Sequence, residues 1–368
     1  MQVQILIERK KMISRRRFIS AGGVTILGAH SLGGISLAGD SQNLAGKSAE
    51  SKKERMYVGT QGSSTDKMLQ FYKRCGVDNV CGEPEGRWTV EGLLQLKQRC
   101  ESYGIMLDMV PLGMPTSVGL VGDRAYRDRQ IEQTCEQIRM AAKAAIGAIK
   151  YNLSVLHVLR TGHSPGRGGS MYSTWAFQKA PKNLPDVAQL PADVFWERIT
   201  YFLERVIPVA TEYKVKMACH PHDPGVPEPG YRGEARVLGT VDGLKKFIEI
   251  SPSPYHGLNF CAGTIASNLH NPAAELFDVI RYFGQRKKIF NVHLRNIRGG
   301  RDNFQEVYHD EGDVDMYKVV KVLKEVSYSR MVMPDHVPTH AGDPEQLQGF
   351  AFGFGYIKAL IQAVYVES

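Results

Sequence analysis

The run Val215-Lys216-Met217-Ala218-Cys219 ends at His220 and continues as Pro221-His222-Asp223-Pro224-Gly225. Short, apolar and closed by turn residues, it reads as a buried strand that stops at a potential metal ligand. Three runs downstream repeat the arrangement. Tyr255 to Phe260 leads into Cys261, Ile289-Phe290-Asn291-Val292 into His293, and Met331-Val332-Met333-Pro334 into Asp335. Between the four ligands lie 40, 31 and 41 residues, each interval long enough for one helix and two loops. That is the spacing of consecutive strand–helix units in an α/β chain folded as a (β/α)8 TIM barrel, whose chemistry sits at the carboxyl ends of its strands. One ligand at each of four successive strand ends converges on one point. Two imidazoles, a thiolate and a carboxylate suit a divalent transition metal. Singly, each would read as an ordinary core or loop residue, and Cys261 as a small buried hydrophobe. The repeated position is what selects the metal site.

Working outward, the chain alternates between strand-like and helix-like runs from Met56 onward. Met56–Thr60, Val77–Cys81, Ile105–Val110 and Leu153–Val158 are the first four expected strands. Helices are expected over Asp66–Cys75, Thr89–Tyr103, Arg124–Ile146 and Val194–Tyr213, on apolar residues at helical period. Val241–Ile250, Ala273–Phe283, Met316–Val326 and Phe350–Tyr365 supply four more. Thr161 to Pro191 is rich in Gly, Pro and Ser and reads as a long loop over the barrel mouth. The count is one catalytic domain, residues 56–368, with no internal repeat.

The 368 residues carry a formal net charge of +8, with 43% hydrophobic and 23% charged residues. Ten Lys/Arg against four acids fall within residues 1–55, leaving +2 for the remainder. The folded part is near neutral, so a nucleic-acid footprint is not supported. The basic start has its own reading. Ser14-Arg15-Arg16-Arg17-Phe18-Ile19 fits a twin-arginine export pattern, followed by a weakly apolar run from Ala21 to Ala38. Residues 1–38 are expected to engage the twin-arginine export machinery and 39–55 to form a polar linker, which places the protein in the periplasm; the bland alternative is a basic tail on a cytoplasmic protein. The apolar run is too polar for a stable membrane span, and no later segment reads as one. The six cysteines, Cys75, Cys81, Cys100, Cys135, Cys219 and Cys261, are scattered through predicted core elements. A large core needs no stapling, so free thiols are expected, with a disulfide among Cys75, Cys81 and Cys100 as the alternative.

From Met56 to its end the chain resembles the mannonate dehydratase family. The carriers are Met217–Gly225 (MACHPHDPG), Asn259–Thr264 (NFCAGT), His293–Ile297 (HLRNI), His309–Met316 (HDEGDVDM) and Pro334–Pro338 (PDHVP). Glu83–Trp88, Lys97–Ile105 and Lys150–Gly162 fall where similar segments occur in that family. The resemblance implies a hydro-lyase of the hexuronate pathway that converts D-mannonate to 2-keto-3-deoxy-D-gluconate plus water. It also implies one divalent ion, Mn²⁺ or Fe²⁺, on His220, Cys261, His293 and Asp335; the ligand types equally allow Zn²⁺.

Dehydrating an aldonic acid removes the hydrogen beside a carboxylate and expels hydroxide from the next carbon, which calls for Lewis-acid assistance and proton transfer. His336, beside Asp335, is the expected proton-transfer residue, or else orients Asp335. Arg295 and Asn296 are expected to bind substrate, or else to make a loop salt bridge and a cap. His309, Asp310 and Asp313 form a polar run, in which Asp313 or Asp315 can cap the following helix. The chain departs from the family in three ways. Its usual acid after His-Pro is His222 here, export is atypical, and Phe350 stands at the place of a catalytic tyrosine, with Tyr356 or His222 as substitutes. Two rival functions use the same barrel: a metal-dependent sugar isomerase or epimerase, and an exported carbohydrate-binding protein without catalysis.

Overall fold

A computed structural model describes residues 55–86 and 88–367 of the chain. The expected export segment and the linker, apart from Arg55, lie outside these residues. In chain order the first six strands are β1 (Tyr57–Gly62), β2 (Asn79–Gly82), β3 (Met106–Pro111), β4 (Ala148–Tyr151), β5 (Gly162–Pro165) and β6 (Met171–Ala176). They are followed by β7 (Lys216–Cys219), β8 (His256–Cys261), β9 (Ile289–His293), β10 (Asn296–Gly300), β11 (Asn303–Val307) and β12 (Met331–Met333). The helices are α1 (Asp66–Arg74), α2 (Val90–Ser102), α3 (Arg124–Lys143), α4 (Ala192–Glu212) and α5 (Val241–Glu249). After these come α6 (Ala262–Ala266), α7 (Pro272–Gln285), α8 (Met316–Glu325) and α9 (Leu347–Val366).

Eight strands close a parallel barrel in the order β1-β2-β3-β4-β7-β8-β9-β12, with β12 returning to β1. The TIM barrel expected from the ligand spacing is therefore the fold. Cys81, Met109, Ala148, Ala218, Phe290, Met331 and Met333 fill its interior as an apolar floor. Gly59 is dictated by this packing: a Cβ there would lie 2.0 Å from Met331 Cγ and Sδ. The helices cover the outside, with ends fixed by their own sequence. The side chains of Thr89, Asp123, Thr240 and Asp315 each accept from a backbone N–H in the first turn of the helix they begin. All six cysteines are unpaired, as a large core allows.

Three expectations are corrected. The fourth strand is Ala148–Tyr151, not Leu153–Val158. Leu153 and Leu156 are buried, but backbone N–H groups of Val155 and Leu156 donate to Glu234 Oε2 instead of to a neighbouring strand. The apolar alternation there reflects burial without strand pairing. The stretch after Thr161 is not all loop. It forms the hairpin β5–β6, which joins the hairpin β10–β11 in an antiparallel sheet of order β10-β11-β6-β5. Finally, α9 is long and apolar enough to cross a membrane. It instead lays Gly349, Gly353, Phe354, Ile357, Ile361 and Val364 inward as a buried face, beside β1 and β12, as the closing helix of the barrel.

Candidate metal centre and active site

The four ligand residues sit at the mouth because strand pairing brings them there. Cys261 and His293, the last residues of β8 and β9, are direct register partners, and Met333 pairs with His293 two residues before Asp335. His220 follows β7, its backbone N–H donating to Tyr151 O at 2.9 Å. One ligand atom from each of the four lies within 4.8 Å of all the others. Cys261 Sγ is 3.3 Å from Asp335 Oδ2, and His293 Nδ1 is 3.1 Å from Asp335 Oδ1. The rings of His220 and His293 have centroids 5.4 Å apart.

Each ligand is oriented from behind. His220 Nδ1 faces Pro221 O at 2.7 Å, which as a donor leaves Nε2 free to coordinate. His293 Nε2 meets Asn259 Nδ2 at 3.2 Å, and Asn291 Nδ2 donates to Asn259 Oδ1 at 2.6 Å. The buried Nδ1 of His293 makes no hydrogen bond among the described residues and faces the Asp335 carboxylate at 3.1 Å. Thr264 directs its backbone N–H, at 3.4 Å, and its hydroxyl, at 3.1 Å, toward Cys261 Sγ. Two imidazoles, a thiol and a carboxylate turned toward one point are a donor set that fits a divalent transition ion held by His220, Cys261, His293 and Asp335.

The charges around this cluster are balanced by a buried network that surrounds His336. Arg295, 1% exposed, donates from Nη1 to Asp223 Oδ2 at 3.0 Å and to Glu306, and from Nη2 to Thr264 Oγ1 at 3.0 Å. Arg160 grips both Asp223 oxygens, at 2.9 and 3.2 Å, and also Glu306. Burial alone would raise the Asp223 and Glu306 carboxyls, but the two guanidinium groups outweigh it and hold both carboxylates low. Asp223, Glu306 and His336 also come within 4.8 Å of one another. The guanidinium groups already supply the positive charge there, so this trio is an ion-pair network and not a second ion site. Gly263 makes room for it: a Cβ would sit 2.4 Å from Arg295 Nε.

His336 itself is the accessible member, with 38% of its side chain exposed. Its Nδ1 lies 3.1 Å from Glu306 Oε1 and 2.9 Å from Arg295 Nη1. The neighbouring Asp335 carboxylate raises its pKa above the ordinary histidine value, against the effect of burial. Asp335 is in turn held well below the carboxylate range: burial opposes this, and His336, His293 and Arg295 override it. The pocket that opens over the cluster is lined by His220, His293, Asp335 and His336, with Gln61, Thr116, Lys150, Asn152 and His157.

The other expected residues fall elsewhere. Arg295 and Asn296 do not line the pocket. Asn296 is buried and fully committed: Nδ2 donates to His309 O and Val314 O, both at 2.9 Å, and Oδ1 accepts from Ile297 N at 3.0 Å. Arg295 makes the salt bridges of this network and Asn296 ties Ile297 and Val314 together, so both lie behind the pocket lining. His309 is buried against α9, close to Gly353 and Tyr356. Asp310 pairs with Arg167, Asp313 accepts from Gly299 N, and Asp315 caps α8. His222 has both ring nitrogens on backbone groups, Nε2 at 2.7 Å from Leu153 O and Nδ1 at 3.2 Å from Leu238 N. It is not available as an acid. Phe350 packs on Phe354 within α9, and Tyr356 packs on Phe352; neither lines the pocket.

Comparison with known proteins gives the family. The family described as D-mannonate dehydratase (UxuA) matches residues 176–368, more than half of the chain. The chain belongs to the mannonate dehydratase family. It is therefore a hydro-lyase that dehydrates a sugar acid. The chain is 29% identical over 345 residues to the mannonate dehydratase of Thermotoga petrophila, covering 78% of this chain and 91% of that protein. It is 27% identical over 314 residues to mannonate dehydratase 2 of Halalkalibacterium halodurans, covering 76% and 88%. Among solved structures, the mannonate dehydratase of Streptococcus suis serotype 2 superposes with a TM-score of 0.75 at 24% identity, covering 85% of this chain and 95% of that one. The family match begins at β6, so it includes all four ligand residues, His336, and the Glu306-bearing hairpin that the sequence reading left unassigned. Glu306 had no visible signal, because nothing in Asn303–Val307 announces that it folds back onto Arg295. Asp223 was in plain view within the quoted His220–Gly225 motif.

Proposed function

We propose that this protein is a metal-dependent dehydratase of D-mannonate, releasing 2-keto-3-deoxy-D-gluconate and water, with Mn²⁺ or Fe²⁺ as the ion. The observation that carries the reading is the convergence of His220, Cys261, His293 and Asp335 within 4.8 Å at the barrel mouth, beside the exposed His336. When bound, the ion supplies Lewis-acid stabilisation for charge that develops beside the substrate carboxylate. His336 moves a proton at Nε2, the nitrogen not facing Glu306 and Arg295. Glu306 and Arg295 fix the ring, which a proton-transfer group within hydrogen-bond reach of substrate requires. Asp223, Arg160 and Thr264 hold Arg295 in turn. The barrel floor of Met109, Phe290 and Met333 closes the site from below and keeps water away from that side. The twin-arginine pattern at Ser14–Ile19 supports a periplasmic location for this activity.

The test is to incubate anaerobically metal-loaded protein with a panel of aldonic acids, uronic acids and neutral sugars. A keto-deoxy acid formed from D-mannonate is the expected result. An epimer or isomer formed without loss of water would move the protein to sugar isomerisation and overturn the proposal.

A further inference from the structure

Lys150 points into the barrel mouth at a place that the metal and the proton transfer do not use. On β4, Ala148 belongs to the apolar floor, and strand alternation puts Lys150 on the same inner face, nearer the mouth. Lysine is seldom placed inside a barrel without a partner. Here Nζ donates to Gln61 Oε1 at 2.5 Å, and Gln61 Nε2 donates to Asp335 Oδ1 at 3.2 Å. Among the described residues Lys150 has this neutral partner and no carboxylate.

The other charges that line the pocket are committed. Arg236 is bound to Glu234 and to the backbone oxygens of Asp223 and Pro224. Asp223 is held by Arg160 and Arg295, and Asp335 belongs to the ligand cluster. The Lys150 ammonium is thus an uncompensated cation, among the described residues, in a cleft that His220, His293 and Asp335 also line. A lysine ammonium has three donors; with one on Gln61, two remain for an incoming anion.

We propose that Lys150, positioned by Gln61, binds the carboxylate of the sugar acid and selects acids over neutral sugars at this site. The proposal rests on the dehydration reading above and names the residue that recognises the acid group. The Lys150–Gln61–Asp335 chain ties the position of the carboxylate to the ion's own ligand. The carbon that loses its proton is then held near the Lys150 ammonium, where charge develops, and a bound ion would supply further positive charge.

The experiment uses the full chain carrying His336→Gln, which slows turnover enough for binding to be read before product builds up, with and without Lys150→Met, each loaded with one equivalent of Mn²⁺. Calorimetry measures binding of D-mannonate and of D-mannitol, which lacks the carboxylate. Lys150→Met is expected to weaken D-mannonate binding about tenfold to a hundredfold, with D-mannitol binding, metal content and melting midpoint unchanged. Lys150→Arg, which keeps the charge, should recover part of the loss. If Lys150→Met lowers the melting midpoint, Lys150→Gln is the variant to read, with the same expected loss. Equal D-mannonate affinity with and without Lys150 overturns the proposal while leaving the dehydration reading in place. Failure of the Lys150-bearing protein to bind D-mannonate at all removes both.

Discussion

His336 and Arg295 are neighbours in space with opposite duties. His336 is exposed to the pocket, so His336→Gln should reduce turnover by about a hundredfold to ten-thousandfold, the range for loss of a proton-transfer group. Metal content by elemental analysis should stay unchanged, which separates this effect from loss of the ion. Arg295 is buried and bridges Asp223 and Glu306. Arg295→Met leaves two buried carboxylates short of a partner, and should lower unfolding stability by about 3–5 kcal/mol in a denaturant titration. A fall in activity at unchanged stability would instead mark Arg295 as a substrate contact. Phe350→Tyr should not raise turnover, because its ring lies in the α9 packing, outside the pocket.

Among the elements, the four ligand strands were legible because a buried parallel strand is a short apolar run, and each ends on a residue able to bind metal. Their register could not be read, yet it is what sets Cys261 opposite His293. The β4 strand was misplaced because Leu153 and Leu156 are buried without strand pairing, their segment's backbone N–H groups going to Glu234, a long-range partner that leaves no local trace. The β10–β11 hairpin was missed for the same reason, since its pairing partner β6 lies more than a hundred residues away. Strand β8 also carries a testable acid sensitivity at its base. His256 is fully buried, packs against Phe247 in a tilted arrangement with centroids 4.6 Å apart, and places Nε2 2.8 Å from Phe247 O. Burial pushes its pKa from 6.5 down to about 4. Between these values the unfolded chain takes up a proton that the folded chain does not. Stability present above pH 6.5 is therefore lost as pH falls toward 4, by up to about 3 kcal/mol. Urea melts from pH 7 to pH 4 should show this slope, and His256→Gln should flatten it. An unchanged slope in the variant would assign the acid sensitivity to other groups.

For the whole molecule, the barrel supplies the mouth, and the twin-arginine pattern at Ser14–Ile19 leads to a proposal of export that can be tested by itself. Replacing Arg15 and Arg16 by Lys should leave an uncleaved precursor inside the cell, read by fractionation and immunoblotting. If the unaltered protein is found in the cytoplasm with an intact amino terminus, the export reading fails. The proposed chemistry rests on a different part of the chain, the four strand ends whose His220, Cys261, His293 and Asp335 converge within 4.8 Å of one another, and Cys261→Ser should lower metal retention on dialysis. The most direct measurement is a metal titration of turnover. Protein stripped by chelation is supplied anaerobically with rising amounts of Mn²⁺ or Fe²⁺, and keto-deoxy acid release from D-mannonate is followed. The account predicts no product without metal and a rate that rises linearly to a break at one equivalent. Turnover by the stripped protein, or no keto-deoxy acid at any loading, would contradict it.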